Sequence, residues 1–317
     1  MILCGDIGGT KALLGIAAIE QGRARFACVR RYECAGFSDA ITLLTQFRTD
    51  AAEHAAALSG GCLALAGPVD DNRMGAKITN LPWRVDAAAC GALFDLPPIA
   101  LINDFAAAAL GVTAATPEHL ITLQVGAPLA DAPRLIVGAG TGLGMAVLLP
   151  EPGGRWRIVP GEGGHIGFSP QDDTQARIHA ALLAERGRVG YEQVVSGPGL
   201  AAIHRILAGA LLGSAAIAER ALADGDSAEA RSVDTFLAAY GAYAGDMALA
   251  VMARGGVFLA GGIATKILPL MRNGRFLAAF NAKGGHTALA ARMPVQVVTD
   301  AEIGLKGAAL IAGDAHA

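Results

Sequence analysis

The sequence predicts an α/β fold built twice from one plan, on three observations. An apolar run, a glycine turn and a second apolar run occur near the start, in "MILCGDIGGTKALLGIAAI". The same arrangement returns far downstream in "PRLIVGAGTGLGMAVLL". Each reads as a β-hairpin with a polar tip, and the two lie about a domain length apart, as copies of one unit would. Through the rest of the chain, strand-like and helix-like segments alternate, the pattern of helices covering sheets.

The elements follow in order. Ser38 is expected to cap a helix running to about Leu58, ended by Gly60 and Gly61. "CLALAGPV" reads as a strand stopping at Gly67-Pro68, and "PIALINDF" as a strand whose polar residues arrive only at its end. "DFAAAALGV" then turns helical. Asp226 to Ala253 carries apolar residues at helical spacing. "GGVFLAGGIATKIL" reads as strand, Gly-Gly turn and helix, and "PVQVVTDAEIGLKGAALIAG" as strand then helix. No long Pro- or Ser-rich linker divides the chain. The crossing between lobes is placed near Val112 to Pro117, giving lobes at 1–114 and 115–300 with a final helix at 301–317.

A chain of 317 residues, 53% hydrophobic and 17% charged, can bury large cores and is far from a disordered composition. A formal charge of -3 and the lack of any Lys/Arg run argue against a nucleic-acid or anionic-membrane partner. The five cysteines Cys4, Cys28, Cys34, Cys62 and Cys90 are odd in number and form no CxxC pair. They read as small core residues in a reducing cytoplasm, not as disulfides or a zinc knuckle. The N-terminal segment has no basic lead of the signal-peptide kind. The longest uncharged run, Leu135 to Pro150, is shorter than a membrane span and rich in glycine. A soluble, cytoplasmic protein is expected.

Four segments hold residues that could do chemistry. In "DIGGTK", Asp6 to Lys11, Gly8 and Gly9 would let backbone N–H groups approach an anion, and Thr10 adds a hydroxyl. It is not a P-loop, because GxxxxGK[ST] is absent and the turn leads into a strand; alone it could be an ordinary turn. "GAGTGLG", Gly138 to Gly144, fails the dinucleotide fingerprint, since Leu143 and Met145 stand where a final glycine is needed. Two such tips, with Gly140, Thr141 and Gly142 at the second, suggest two grips on one polyphosphate. In "INDF", Asp104 follows a strand directly, where α/β sheets place their ligands. It could take a proton from a substrate hydroxyl that Asn103 fixes, or serve as a helix N-cap, or both. In "GEGGHIGF", Glu162 and His165 sit among glycines. A metal site usually needs three or four protein ligands, and no Cys or His cluster lies nearby. Both side chains suit vicinal hydroxyls instead. Glu192, in "GYEQVVSGPG", is a further acceptor or else a solvated surface residue.

With these motifs in order along almost its whole length, the chain closely resembles bacterial glucokinases of the hexokinase–actin–heat-shock-chaperone superfamily. "DIGGTK" and "GAGTGLG" look like that family's two phosphate loops, "INDF" its catalytic segment, and "GEGGH" and "YEQVVSGPG" its sugar-binding segments. "FLAGGI", with Gly261 and Gly262, looks like its motif near the adenosine. The resemblance implies a two-lobed ribonuclease-H-like (actin-like ATPase) α/β fold, with duplicated βββαβα-type cores around a cleft and the final helix packing back on the small lobe. It implies ATP-dependent phosphorylation of glucose at the 6-hydroxyl, with Mg²⁺, in a protein that is usually a homodimer.

Carried over residue by residue, Asp104 is the general base, and Asn103, Asp104, Glu162, His165 and Glu192 contact the sugar. Asp6, Gly8, Gly9, Thr10, Lys11, Gly140, Thr141, Gly142, Gly261 and Gly262 lie at the nucleotide. Asp6 is near the metal, directly or through water. The related repressor/sugar-kinase branch often follows its "GEGGH" with a cysteine-rich zinc loop. "IGFSPQDDTQAR" has no cysteine, so structural zinc is not implied. Nor is a DNA-binding region expected, since Asp6 comes almost at once. Two other hexose-related readings remain: a kinase for mannose, fructose or an amino sugar, and a non-catalytic sugar sensor. An actin-like ATPase with a protein partner fits the Glu162, His165 and Glu192 set less well.

Overall fold

The computed structural model describes residues 1–55 and 58–314. The chain forms two compact units, one of Met1–Thr116 with Asp300–Ala317 and the other of Pro117–Thr299.

In the first unit, β1 (Ile2–Ile7), β2 (Lys11–Glu20) and β3 (Arg23–Glu33) form a meander, followed by α1 (Ala40–Asp50) and β4 (Gly60–Leu65). A ribbon of β5 (Gly75–Lys77) and β6 (Arg84–Asp86) leads to α2 (Ala87–Ala92), β7 (Ala100–Asn103) and α3 (Asp104–Val112). In the second unit come β8 (Leu120–Gln124), β9 (Arg134–Ala139), β10 (Leu143–Glu151) and β11 (Arg155–Gly161). The helices α4 (Asp173–Arg186), α5 (Gly197–Ala208), α6 (Ser214–Ala223) and α7 (Ala228–Ala250) follow. Then come β12 (Gly256–Ala260), α8 (Gly262–Lys266), α9 (Leu268–Met271), α10 (Arg275–Asn281), α11 (Thr287–Ala290) and β13 (Val295–Val298). Finally α12 (Ile303–Asp314) belongs to the first unit.

The duplication expected from the two hairpins is visible in the sheets. Among the described residues, the first unit's sheet runs β3-β2-β1-β4-β7, and the second's runs β11-β10-β9-β12-β13, with β8 added at the far edge. Each has an antiparallel meander beside parallel strands: β1 pairs parallel with β4 and β4 with β7, as β9 pairs with β12 and β12 with β13. The parallel strands end at one edge of each sheet, and the motifs sit there.

Strand alternation divides the first unit's core in two. Leu3 and Ile7 point into a cluster with Leu43, Leu44 and Phe47 of α1. Cys4 of β1 and Cys62 and Ala64 of β4 point the other way, into a cluster with Leu305, Ala308, Ala309 and Ala312 of α12. Small side chains let α12 lie close on the sheet and on α3. A Cβ at Gly307 would collide with Ala107 O, and one at Gly111 with Ile303 O. The second unit's core gathers around α7, with Phe236, Tyr240, Tyr243, Phe276 and Phe280 fully buried. The five cysteines are buried free thiols, as their reading as core residues expected.

One helix differs from expectation. Asp39, not Ser38, caps α1: its Oδ1 accepts from Thr42 N–H at 2.7 Å, while the Ser38 hydroxyl donates to Asp39 Oδ2. The helix ends at Asp50, where Ala51 leaves helical geometry, well short of Leu58. Asp50 is bound there by Tyr32 of β3 and by Gln46. The alanine-rich sequence beyond has good helix propensity, but propensity is a weak prior that tertiary context overrides. Two positions of that expected extension, 56–57, lie outside the described residues, as do 315–317 of the expected final helix.

Candidate active site

In the first unit, the register of three parallel strands brings two carboxylates to one sheet edge. Asp6 of β1 is level with Ala64 of β4, and Ala64 is level with Ile102 of β7, so Asp104 lies just beyond the same edge. Asp6 is on the α12 face, beside the first turn of that helix; a Cβ at Gly304 would collide with Asp6 Oδ2. Desolvation, and after it the nearby Asp104 charge, push the Asp6 carboxyl up to about 7. The adjoining hairpin tip is tight, with Gly8 N–H donating to Lys11 O at 2.9 Å. Thr10 and Lys11 are exposed there, and Lys11 lies 3.8 Å from Glu33.

The helix cap after β7 is made by Asn103. Its Oδ1 accepts from the N–H of Phe105 and Ala106, and its Nδ2 reaches Gly67 O at 3.4 Å. This corrects the reading of Asp104 as N-cap. Asp104 is the first helical residue, accepts from its neighbour Phe105 N–H at 2.8 Å, and is partly exposed. The Asn103 amide is largely committed to the backbone, which limits it to one spare N–H toward any ligand.

The second unit gathers its motifs at one edge in the same way. Ala260, the last residue of β12, is level with Gly138 of β9, and Gly261 follows with φ +90°, a conformation that favours glycine. A Cβ there would press on Ala139 O at 2.8 Å, so "FLAGGI" and "GAGTGLG" lie side by side. Gly262 opens α8 beside them. On the other flank, Gly161 of β11 pairs with Met145 of β10, delivering "GEGGH" to the same edge. Gly163 and Gly164 are buried and pack against Met145 and Leu143, whereas their neighbours Glu162 and His165 project outward. The two side chains are 84% and 65% exposed, and His165 Nε2 lies 3.7 Å from Glu162 Oε2. The close-packed glycines therefore form the floor, and the acid and imidazole stand on it.

Glu192 is not a free surface residue. Its Oε2 accepts from Leu143 N–H at 2.8 Å, in the second glycine loop. Sequence reasoning missed this, since the two positions are 49 residues apart with no local signal.

Two units built on one plan, each with a glycine-rich hairpin tip at one edge of its sheet, form the actin-like ATPase fold. Comparison with known proteins agrees. The family model described as Glucokinase matches residues 3–315. The glucokinase of a Nostoc species is 35% identical over 343 residues, covering 98% of both chains. A crystal structure of glucokinase from an Antarctic psychrotroph superposes with TM-score 0.86 at 27% identity, covering 99% of this chain and 98% of that one. A ROK family glucokinase from Streptomyces griseus, solved with glucose and AMPPNP, shares the fold at TM-score 0.65 and 21% identity, covering 99% of each chain. The chain belongs to the glucokinase family and is a sugar kinase, a phosphotransferase with an alcohol acceptor.

Proposed function

We propose that the protein transfers the γ-phosphoryl group of ATP to the 6-hydroxyl of D-glucose, with Asp104 as general base. One observation carries this assignment of the base: Asn103 takes the capping role, and Asp104 follows it as the first helical residue, at the sheet edge that also carries Asp6. Phosphoryl transfer asks for little covalent help; positioning and charge stabilisation supply most of the rate. Asp104 accepts the proton of the attacking hydroxyl, which contributes roughly 10²–10⁴-fold. Glu162, His165 and Glu192 hold the other hydroxyls, with Asn103 offering its spare N–H. Backbone N–H groups at Gly8, Gly9, Gly140 and Gly142, with the Thr10 and Thr141 hydroxyls and Lys11, grip the phosphates. Gly261 and Gly262 leave room for the nucleoside.

The donor set suits Mg²⁺. Asp6 is desolvated and repelled by Asp104, and a cation relieves both effects. Among the described residues, no group of three His, Cys, Asp or Glu could hold a metal. Asp6, directly or through water, would thus be joined by water and phosphate oxygens, the usual company of Mg²⁺. When bound, that ion neutralises charge on the phosphates.

The resemblance to bacterial glucokinases supports a cytoplasmic homodimer. No helix among the described residues is long and apolar enough to cross a membrane. An ADP-release assay over a sugar panel tests the proposal. Turnover highest with glucose is expected; a clear preference for mannose, fructose or an amino sugar would reassign the substrate. Sugar-independent ATP hydrolysis would point to an ATPase, and no turnover with any sugar to a sensor.

A further inference from the structure

The second glycine loop is fastened at both flanks by one strip of chain. On one side Leu143 N–H donates to Glu192 Oε2 at 2.8 Å. On the other, Gly197 N–H, at the start of α5, donates to Gly140 O at 2.8 Å. Within the loop, Gly140 N–H donates to Gly142 O, so the tip around Thr141 hangs between the two fastenings. The same strip is bound to the "GEGGH" segment: Tyr191 N–H donates to Ile166 O, and the Arg188 guanidinium donates to His165 O. Leu143 is gripped from its other face as well, because Gly164 packs directly on its carbonyl oxygen. The peptide that ends the loop is thus clasped between the two segments assigned to the sugar.

The Glu192 carboxylate has two distinct sides. Oε2 lies against the loop, where a Cβ at Gly142 would collide with it, while Oε1 is 3.9 Å from that position. Oε1 accepts no hydrogen bond from the described residues. A carboxylate can accept several hydrogen bonds at once, so holding Leu143 does not exhaust it.

We propose that Glu192 is a positioning residue that couples sugar occupancy to the second glycine loop: Oε2 holds the Leu143 amide while Oε1 takes a sugar hydroxyl. The inference rests on the sugar-kinase reading above and adds to it a route for coupling within one unit. A sugar that fixes the carboxylate also fixes the loop that receives the phosphates. A ligand shifts such an equilibrium only by its differential affinity for the two arrangements, and the coupling must be reciprocal.

The test is calorimetric binding of a non-hydrolysable ATP analogue with Mg²⁺, with and without saturating glucose, in wild type, Glu192→Ala, Glu192→Gln and Gly142→Ala. Glucose turnover is measured on the same preparations. Wild type should bind the analogue about tenfold more tightly with glucose, within the usual range of coupling factors. Glu192→Ala, with glucose saturating for that variant, should bring the ratio close to one. Glu192→Gln keeps an acceptor for Leu143 N–H and should retain part of it. Gly142→Ala, which displaces Oε2, should lower the ratio. Reciprocally, the analogue should tighten glucose binding by the same factor. A wild type that phosphorylates glucose, with a ratio that Glu192→Ala leaves intact, would overturn the inference alone and leave Glu192 as a sugar contact only. A wild type that neither binds nor phosphorylates glucose would overturn both. A thermal melt of each variant separates loss of coupling from loss of fold.

Discussion

Asn103 Oδ1 accepts hydrogen bonds from the N–H groups of Phe105 at 2.9 Å and Ala106 at 3.3 Å, and so caps α3 in place of Asp104. The adjacent residues thereby separate the cap from the proposed base. Asp104→Asn should lower kcat about 10²–10⁴-fold. Its thermal midpoint and glucose affinity should stay near wild type. Asn103→Ala should instead cost about 0.5–2 kcal/mol of stability, the usual worth of a cap. Steady-state kinetics and melts of both variants check this. Near-normal kcat in Asp104→Asn would remove it as the base.

Asp6 gives the metal-free protein a pH signature. Its carboxyl is raised in the folded state from 3.8 to about 7, so the folded protein holds a proton that the unfolded chain has released. The associated stability is fully present below about pH 4 and is lost as pH rises toward and through about 7. Asp6→Asn should flatten that fall and melt higher than wild type at pH 8 in chelator, while losing Mg-dependent activity. Melts across pH 4 to 8 in both proteins decide it; parallel curves would mean that Asp6 is not the group concerned.

His165 stands mostly in solvent, so it is not a core histidine satisfying a buried carbonyl. His165→Ala should leave the melting temperature within a degree or two of wild type, since exposed substitutions usually have small effects. It should weaken glucose far more than the ATP analogue. An unpaired buried polar group costs about 1–3 kcal/mol, so roughly tenfold or more in glucose Kd is expected. Glu162→Gln should act in the same direction. The ratio of kcat/KM for glucose to that for 2-deoxyglucose is the measurement, and an unchanged ratio in both variants would exclude a sugar contact.

Much of this was legible in the sequence because its signals are local. Glycine clusters between apolar runs marked both hairpins, and the polar residues closing "PIALINDF" marked a strand edge. Where neighbours compete, the sequence was ambiguous: Asn103 and Asp104 are both good caps, and the choice depends on where β7 gives up extended geometry. The same holds for Ser38 and Asp39, which cooperate at one helix start. The overrun of α1 came from alanine propensity that its surroundings override. The Glu192 bond to Leu143 lay beyond reach, because only the folded sheet brings 192 beside 143.

The placement of α12 imposes an order on biosynthesis. The strands β1, β2, β4 and β7 leave the ribosome before the second unit, yet the helix that packs beside Cys4, Cys62 and Ala64 is translated only after every residue of that unit. Until then, the nascent first unit has one face of its sheet uncovered, an apolar surface that chaperones recognise and that other nascent chains could pair with. The second unit, contiguous in the chain, has all its parts before the first one does. The strand that carries Asp6 is covered only once α12 has followed the second unit, so that edge of the first unit's sheet matures after the second unit has been made.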